Sequence, residues 1–350
     1  MNDMEHKRDI KSLTIEELTR ELTDMHYPSF RARQIYQWMH EKLVGSFEEM
    51  TNLPLSMRED LAKQYVLPGA SIVKVQVSRL DGTRKYLFSL DDGMVIESVW
   101  MRYHHGNSVC ISSQVGCRMG CRFCASTLDG LERNLLPSEM LDQIYQIQKE
   151  TGERVSNVVV MGSGEPMDNY EHLVRFIRLL SVPGGLNISQ RNITVSTCGI
   201  VPGIKRLAGE GLAVTLALSL HAPNDEVRKT LMPIARTYPL SEVLKACREY
   251  FDRTGRRVTF EYSLVKGVND NLEEARELAD LLKGQGGHVN LIPVNPIKER
   301  DFVQSTPKSI EAFKKLLEKN GINVTIRREM GRDIDGACGQ LRKRFLDGKN

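Results

Sequence analysis

Three cysteines, Cys117, Cys121 and Cys124, lie within eight residues at spacings of four and three. Thiolates so placed can ligate three irons of a 4Fe-4S cube, and the missing fourth ligand leaves one iron open to an exogenous group. A structural zinc ion instead wants a fourth protein ligand nearby. Cys110 is the nearest other cysteine, and strand alternation does not require its side chain to face the loop. Unliganded cysteines are the remaining reading. With Cys198, Cys247 and Cys338 the total is seven, and an odd count argues for ligands or reactive thiols over a disulfide framework. Cys247 shares an apolar helical stripe with Val243, Leu244 and Tyr250 and reads as a packing residue, as does Cys198. Cys338 stands among Gly331, Gly336 and Gly339, the composition of a loop that must move.

These thiols need a scaffold, and the hydrophobic pattern supplies one. Residues 1–68 read as a separate helical accessory module, opened by the capping-box pair Thr14 and Glu17, with further helices over 31–43 and 56–65. Residues 69–106 read as a β-meander extension, because Val73, Val75 and Val77 alternate with polar residues and Asp81-Gly82 and Asp92-Gly93 signal hairpins. From residue 107 to 350, apolar runs starting at Val109, Val155, Ile193, Val214, Val258, Val289 and Val324 alternate with amphipathic segments. Asn271 with Glu274, and Thr306-Pro307, mark two of the helix starts. The fold class is therefore α/β with a parallel sheet. Six or seven units suit a partial (β/α) barrel, and a doubly wound open sheet has the same pattern. In either arrangement, functional groups collect at the carboxyl ends of strands, where the cysteine loop falls.

Composition excludes little else. The chain of 350 residues is 41% hydrophobic and 27% charged, which is globular, and no apolar run nears a membrane span. The first ten residues are charged, and the expectation is a soluble, cytoplasmic protein. Lysine and arginine number 48 against 45 acidic residues, a net charge of +3 that neither identifies nor excludes a nucleic-acid partner. Residues 1–65 carry 9 basic and 12 acidic side chains, so that module cannot supply bulk positive charge. Arg118, Arg122 and Arg133 flank the cysteine loop, Arg327, Arg328 and Arg332 precede Cys338, and Arg342, Lys343 and Arg344 follow it. Their concentration there suggests phosphate contacts rather than merely solvated faces.

The cysteine spacing, with Phe123 before the last cysteine, resembles the signature of the radical S-adenosylmethionine (SAM) enzymes. Further stretches narrow the resemblance: Gly162-Ser163-Gly164-Glu165-Pro166, Ser196-Thr197, Ser219-Leu220-His221-Ala222, Pro293-Val294-Asn295-Pro296, and Gly331 through Leu341 around Cys338. Together they resemble the dual-specificity adenine carbon-2 RNA methyltransferases of that superfamily along essentially the whole chain. The resemblance implies that Cys117, Cys121 and Cys124 ligate one 4Fe-4S cluster. Gly164, Glu165, Ser196, Ser219, Leu220, His221 and Asn295 would hold SAM, two molecules being used per turnover, with Glu165 accepting from its amino group. Cys338 corresponds to the methyl-carrying cysteine, Cys110 to its resolving partner, and Glu97 to the proton acceptor. The substrates it implies are 23S rRNA at the peptidyl transferase centre and tRNA next to the anticodon. An electron donor such as flavodoxin with its reductase, a monomeric state and no membrane partner complete the picture. Ser163 departs from the methionine usual in that family.

The chemistry explains why two extra cysteines are needed. Carbon 2 of adenine lies between two ring nitrogens and is too electron-poor to attack the methyl group of SAM. On the resemblance, Cys338 is methylated first, a radical formed from a second SAM takes a hydrogen from that S-methyl group, and the resulting carbon radical adds to the base. Loss of the carbon-2 proton, to Glu97 or through water, restores aromaticity, and Cys110 attacks the Cys338 sulfur to release RNA and leave a transient disulfide. Glu97 shares a strand face with Val95 and Val99, so the wet face of an edge strand is its alternative reading. His221 is expected to offer backbone rather than imidazole, and His104 and His105 to lie in a solvated link. Two other functions fit the cluster: a carbon-8 adenosine methyltransferase of 23S rRNA conferring antibiotic resistance, and a non-catalytic iron-sulfur RNA-binding or sensor protein. A zinc-stabilised RNA module is a third. Pro166 and Pro293-Val294-Asn295 favour carbon 2, and a sensor has no use for Cys338.

Overall fold

The computed structural model describes residues 7–295, 299–334 and 339–348. The chain opens with β1 (Arg8–Asp9), α1 (Ile15–Asp24), α2 (Phe30–His40), α3 (Leu55–Gln64) and β2 (Tyr65–Val66), the two short strands pairing in parallel. Thr14 Oγ1 accepts from Glu17 N at 3.2 Å and the Glu17 carboxylate accepts from Thr14 N at 2.9 Å, the expected capping box. The meander follows as β3 (Ser71–Val77), β4 (Arg84–Ser89) and β5 (Val95–Tyr103), and β5 pairs antiparallel with β6 (Gly106–Cys110). His104 and His105 are exposed in the turn between β5 and β6.

The strand that carries the apolar run starting at Val109 ends at Cys110. The cysteine loop instead sits on its own hairpin, β7 (Gln114–Gly116) and β8 (Leu131–Asn134). Strand-helix units follow: α4 (Pro137–Thr151), β9 (Val155–Val160), α5 (Tyr170–Ser181), β10 (Ile193–Thr197), α6 (Val201–Gly209), β11 (Thr215–Ser219), α7 (Asp225–Leu231), α8 (Leu240–Thr254), β12 (Val258–Leu264), α9 (Leu272–Leu282), β13 (His288–Pro293), α10 (Pro307–Lys319), β14 (Asn323–Ile326) and α11 (Gln340–Asp347).

The main sheet has ten strands in the order β14-β13-β12-β11-β10-β9-β6-β5-β4-β3, parallel from β6 to β14 and antiparallel from β3 to β6. The order never reverses, so there is no switch point and the doubly wound alternative is excluded. Right-handed crossovers along such an order put the helices on one side and leave the other concave. The sheet stays open, with β3 and β14 at its edges. Beyond β14 the chain reaches the hairpin that joins β3 to β4. Gly331 N donates to Asp81 Oδ2 at 3.0 Å, and Asp333 accepts from Ser78 Oγ at 2.6 Å and Arg79 N at 2.8 Å.

The helical module, separate along the chain, shares one apolar core with the barrel, running from Ile10, Ile35 and Met57 to Ile144, Phe176 and Leu216. Buried polar contacts tie the two together. Lys11 Nζ meets Asp142 Oδ1 at 3.0 Å, and His40 Nδ1 meets the Tyr145 hydroxyl at 2.6 Å. Burial lowers the His40 pKa to about 3, with the Lys11 charge acting in the same direction. The folded value lies below the unfolded one, so His40 contributes stability that is present above pH ~6.5 and is lost as pH falls towards 3. Lowering pH from about 7 to about 5 should therefore cost about 2 kcal/mol through this residue. Urea unfolding of wild type and His40→Gln at both values checks it, since the variant should lose that share of the acid sensitivity.

Candidate active site

Pairing of β7 with β8 closes the cysteine loop at its base. Cys117 N donates to Gly130 O at 2.8 Å, and Gly116 has φ +77° with Gly130 O only 2.0 Å from where a Cβ would sit. Only glycine fits there. The tip is tied to the barrel by Arg122 N donating to Leu231 O at 2.9 Å, and the far side by Thr127 Oγ1 donating to the carbonyls of Cys121 at 3.0 Å and Cys124 at 2.9 Å. Cys117 and Cys121 are buried and Cys124 is half-buried.

Burial pushes the Cys117 thiol up to about 12. A Met119 backbone N–H opposes this, and the charges of Cys124 and Glu165 add to the rise. Burial also raises Cys121, reinforced by Cys124, Cys117 and Glu165 and opposed by Arg228. Three mutually opposed thiolates need a cationic partner, and iron supplies that charge. The donor set therefore fits a cluster held at three corners. Among the described residues, no three His, Cys, Asp or Glu side chains converge on a single metal-ion position.

Most residues expected to hold SAM end the neighbouring strands. Gly164, with φ +108°, lies so close to β7 that a Cβ would fall 2.6 Å from that of Gln114. The buried Glu165 carboxylate accepts from Cys198 N at 2.7 Å and Met167 N at 3.0 Å; burial raises its pKa and these donors oppose the rise. Ser196 and Ser219 are half-buried. Leu220 is buried, and its N–H donates to Glu261 O at 3.0 Å. His221 is also buried, with φ +56°, and its ring packs edge-on against Phe123 at 4.8 Å. Burial first, and the Arg228 charge second, lower its pKa to about 3, so a neutral Nδ1 accepts from Ser263 N at 2.9 Å. The imidazole thus has a structural task beyond the expected backbone role. Asn295 lies past the end of β13, is exposed, and is the one member of the set not drawn into the enclosed wall.

Arg228 was missed in the sequence because it looks like one more charge on the short helix α7. It is fully buried and donates to the carbonyls of Cys198 at 2.7 Å, Leu220 at 3.1 Å and Ser219 at 3.2 Å, bracing the ends of β10 and β11. Its Nη1 has no hydrogen-bond partner among the described residues. Ser163 is buried: its backbone N–H donates to Ser112 Oγ at 3.0 Å, its carbonyl accepts from Ser113 N and Gln114 N, and its hydroxyl donates to Gly116 O at 3.4 Å.

Register assembles the remaining groups. Cys110 opposes Val99 on β5 and Val159 on β9, Ser196 opposes Ala217, and Ser219 opposes Glu261. The pleat puts Val109, Trp100 and Val158 into the helix-covered core and Cys110, Glu97, Ser196 and Ser219 on the opposite, concave face. Cys110 is buried there with Val99, Met101 and Met330. Glu97, 2% exposed, is no wet edge: Lys85 Nζ donates to its Oε1 at 2.7 Å. Cys338 lies outside the described residues. No disulfide joins two described cysteines, and Cys198 and Cys247 are buried packing residues.

The expected basic rim divides in two. Arg133 is engaged by Glu139 and Asp92, Arg342 is buried against Glu132 and the Val95 carbonyl, and Lys343 pairs with Asp129 and Asp347. Arg118, although exposed, pairs with Asp168. Arg122, Arg327, Arg328 and Arg332 face solvent, Arg332 with Glu329 Oε2 at 3.7 Å, and the last three line a cleft of ≈670 Å³ with Leu80, Pro293 and Glu329.

Comparison with known proteins places this geometry among relatives. Residues 111–282 match the radical SAM superfamily, and residues 8–67 match the ribosomal RNA large subunit methyltransferase N-terminal domain. The chain is 65% identical over 339 residues to a probable dual-specificity RNA methyltransferase RlmN of Lachnospira eligens, covering 97% of each. It is 63% identical over 347 residues to one of Lachnoclostridium phytofermentans, covering 99% of this chain and 98% of that one. The crystal structure of a radical SAM methyltransferase from Sphaerobacter thermophilus superposes with a TM-score of 0.90 at 45% identity, covering 95% of this chain and 98% of that one. Among the described residues, no helix is long and apolar enough to cross a membrane.

If closure of the loop base governs cluster assembly, Gly116→Ala should take up less than roughly half the wild-type iron on anaerobic reconstitution, with all three cysteines intact. Iron analysis per chain measures this, and wild-type iron content would disprove it.

Proposed function

Because the chain belongs to the RlmN family of radical SAM RNA methyltransferases, we propose that it methylates carbon 2 of adenosine in 23S rRNA and in tRNA. The observation that carries this reading is near-full-length similarity joined to one concave sheet face that bears Cys110, Glu97, Ser196 and Ser219 beside the three-cysteine loop. Cys117, Cys121 and Cys124 would hold a 4Fe-4S cluster. Gly164, Glu165, Ser196, Ser219, Leu220, His221 and Asn295 would hold SAM. When bound, these groups supply a methyl group and a carbon-centred radical, chemistry that no side chain provides.

The chain's own residues do the rest. Cys338 presents a thiolate to receive the methyl group and carries it to the adenine. Cys110, enclosed in the sheet wall beside Met330, resolves the protein-RNA bond by attacking the Cys338 sulfur, and the disulfide so formed is reduced before the next turnover. The apolar surroundings of Cys110 keep water from that sulfur. Arg228 holds the ends of β10 and β11 in register with the loop. Solvent-facing Arg327, Arg328 and Arg332 would meet phosphates while the target base, splayed out of its stack, enters the barrel mouth. Flavodoxin with its reductase would supply electrons, and the chain would act as a monomer in the cytoplasm. The accessory module, at residues 1–68, would engage RNA by shape.

Reconstituted protein should hold about four irons per chain. Digestion of modified 23S rRNA and tRNA followed by mass spectrometry should give 2-methyladenosine, whereas the 8-methyl isomer would favour the rival enzyme. Cys110→Ala should accumulate a covalent protein-RNA adduct that disappears when Cys338 is also replaced. RNA release at the wild-type rate would refute the resolving role.

A further inference from the structure

The Lys85–Glu97 pair is enclosed in the wall of the sheet, with side chains 0% and 2% exposed and Nζ 2.7 Å from Oε1. Desolvating two charges is costly, and an apolar pair would pack well against Leu87, Val95 and Leu341 on the same face. What the charges gain is a grip on the C-terminal helix. Gly339 N donates to Glu97 Oε1 and Arg342 N donates to Oε2 at 3.1 Å. These are N–H groups of the first turn of α11, which have no partner within the helix. Arg342 adds its own ties, Nε to Val95 O at 2.9 Å and Nη2 to Glu132 at 2.5 Å.

Gly339 is held from the other side as well. It has φ +83°, and a Cβ there would lie 2.5 Å from Ser126 N, two residues after the last cysteine of the loop. The residue bonded to Cys338 is thus clasped between β5 and the segment that follows Cys124. Three N–H donors, from Lys85, Gly339 and Arg342, occupy the Glu97 carboxylate.

We propose that Glu97, braced by Lys85, is a positioning residue that clamps the start of α11 and so sets the approach of Cys338 to its methyl donor. The inference rests on the RNA methyltransferase reading. It makes Glu97 necessary before RNA is present, when the Cys338 thiolate displaces S-adenosylhomocysteine from SAM, taking the methyl group, with the thiol proton passing to solvent. A residue that served only as proton acceptor would not affect that step.

The test uses full-length, iron-loaded protein with SAM and no RNA, following S-methylation of the Cys338 peptide by mass spectrometry and amide exchange over residues 339–347. Glu97→Gln turns an amide NH₂ towards groups that are themselves donors. It should slow methylation by roughly tenfold or more, the scale of a lost charge-assisted cap, and speed exchange in α11. The double variant Lys85→Met with Glu97→Met removes the charges while keeping the wall apolar. It should fold, retain wild-type iron and show the same two defects. Wild-type methylation rates in the double variant, or slowed methylation with unchanged exchange in α11, would overturn the positioning role. Failure of the wild-type protein to methylate Cys338 would instead sink the functional reading itself.

Discussion

In a β-sheet successive side chains point to opposite faces, and here one face of every parallel strand is given over to helices. Everything reactive has to share the other face. Val109 and Cys110 are neighbours in the chain, yet Val109 is in the helix-covered core and Cys110 looks into the concavity. The same alternation places Glu97 apart from Trp100, and Ser196 apart from Val195. Because register couples β5, β6, β9, β10 and β11, a one-residue slip in β5, β6, β10 or β11 would exchange its reactive residue for a core residue. The apolar core holds the chemistry in place without touching it.

That constraint leaves two weak places, and the structure reinforces both. The parallel strand ends are braced from beneath by Arg228, which collects carbonyls from two strands with one rigid, planar side chain. The open edge of the sheet is spanned by the segment after β14, pinned through Gly331 and Asp333 to the hairpin between β3 and β4. The extra antiparallel strands have a functional consequence here. They extend the concave wall beyond β6, and the added wall carries the Lys85–Glu97 pair that meets the C-terminal helix.

Much of this was legible in the residues. Capping boxes at Thr14 and Asn271, turn dipeptides at Asp81-Gly82 and Asp92-Gly93, and the alternation of apolar runs with amphipathic segments are local signals governed by backbone and short-range hydrogen bonding. The three-cysteine loop is equally local, because its spacing lies within one turn of chain. Less visible were the short strand β8, whose Leu131–Asn134 carries no strong β pattern, and the sharing of one core by the helical module and the barrel. Arg228, Lys85 and Arg342 were hidden for a common reason. A charged residue in a sequence reads as surface, and only long-range partners 8 to 247 positions away make its burial tolerable.

The sequence by itself determined the element types, the α/β class, the donor set of the cysteine loop and the family resemblance, all of which depend on residue identity and near spacing. Tertiary structure alone decided between an open barrel and a doubly wound sheet, because strand order is a property of pairing across distant segments. It also decided which basic residues remain available to solvent, and that Glu97 faces a helix terminus rather than water. Those outcomes depend on what each side chain meets across the sheet, where sequence separation gives no guide to distance.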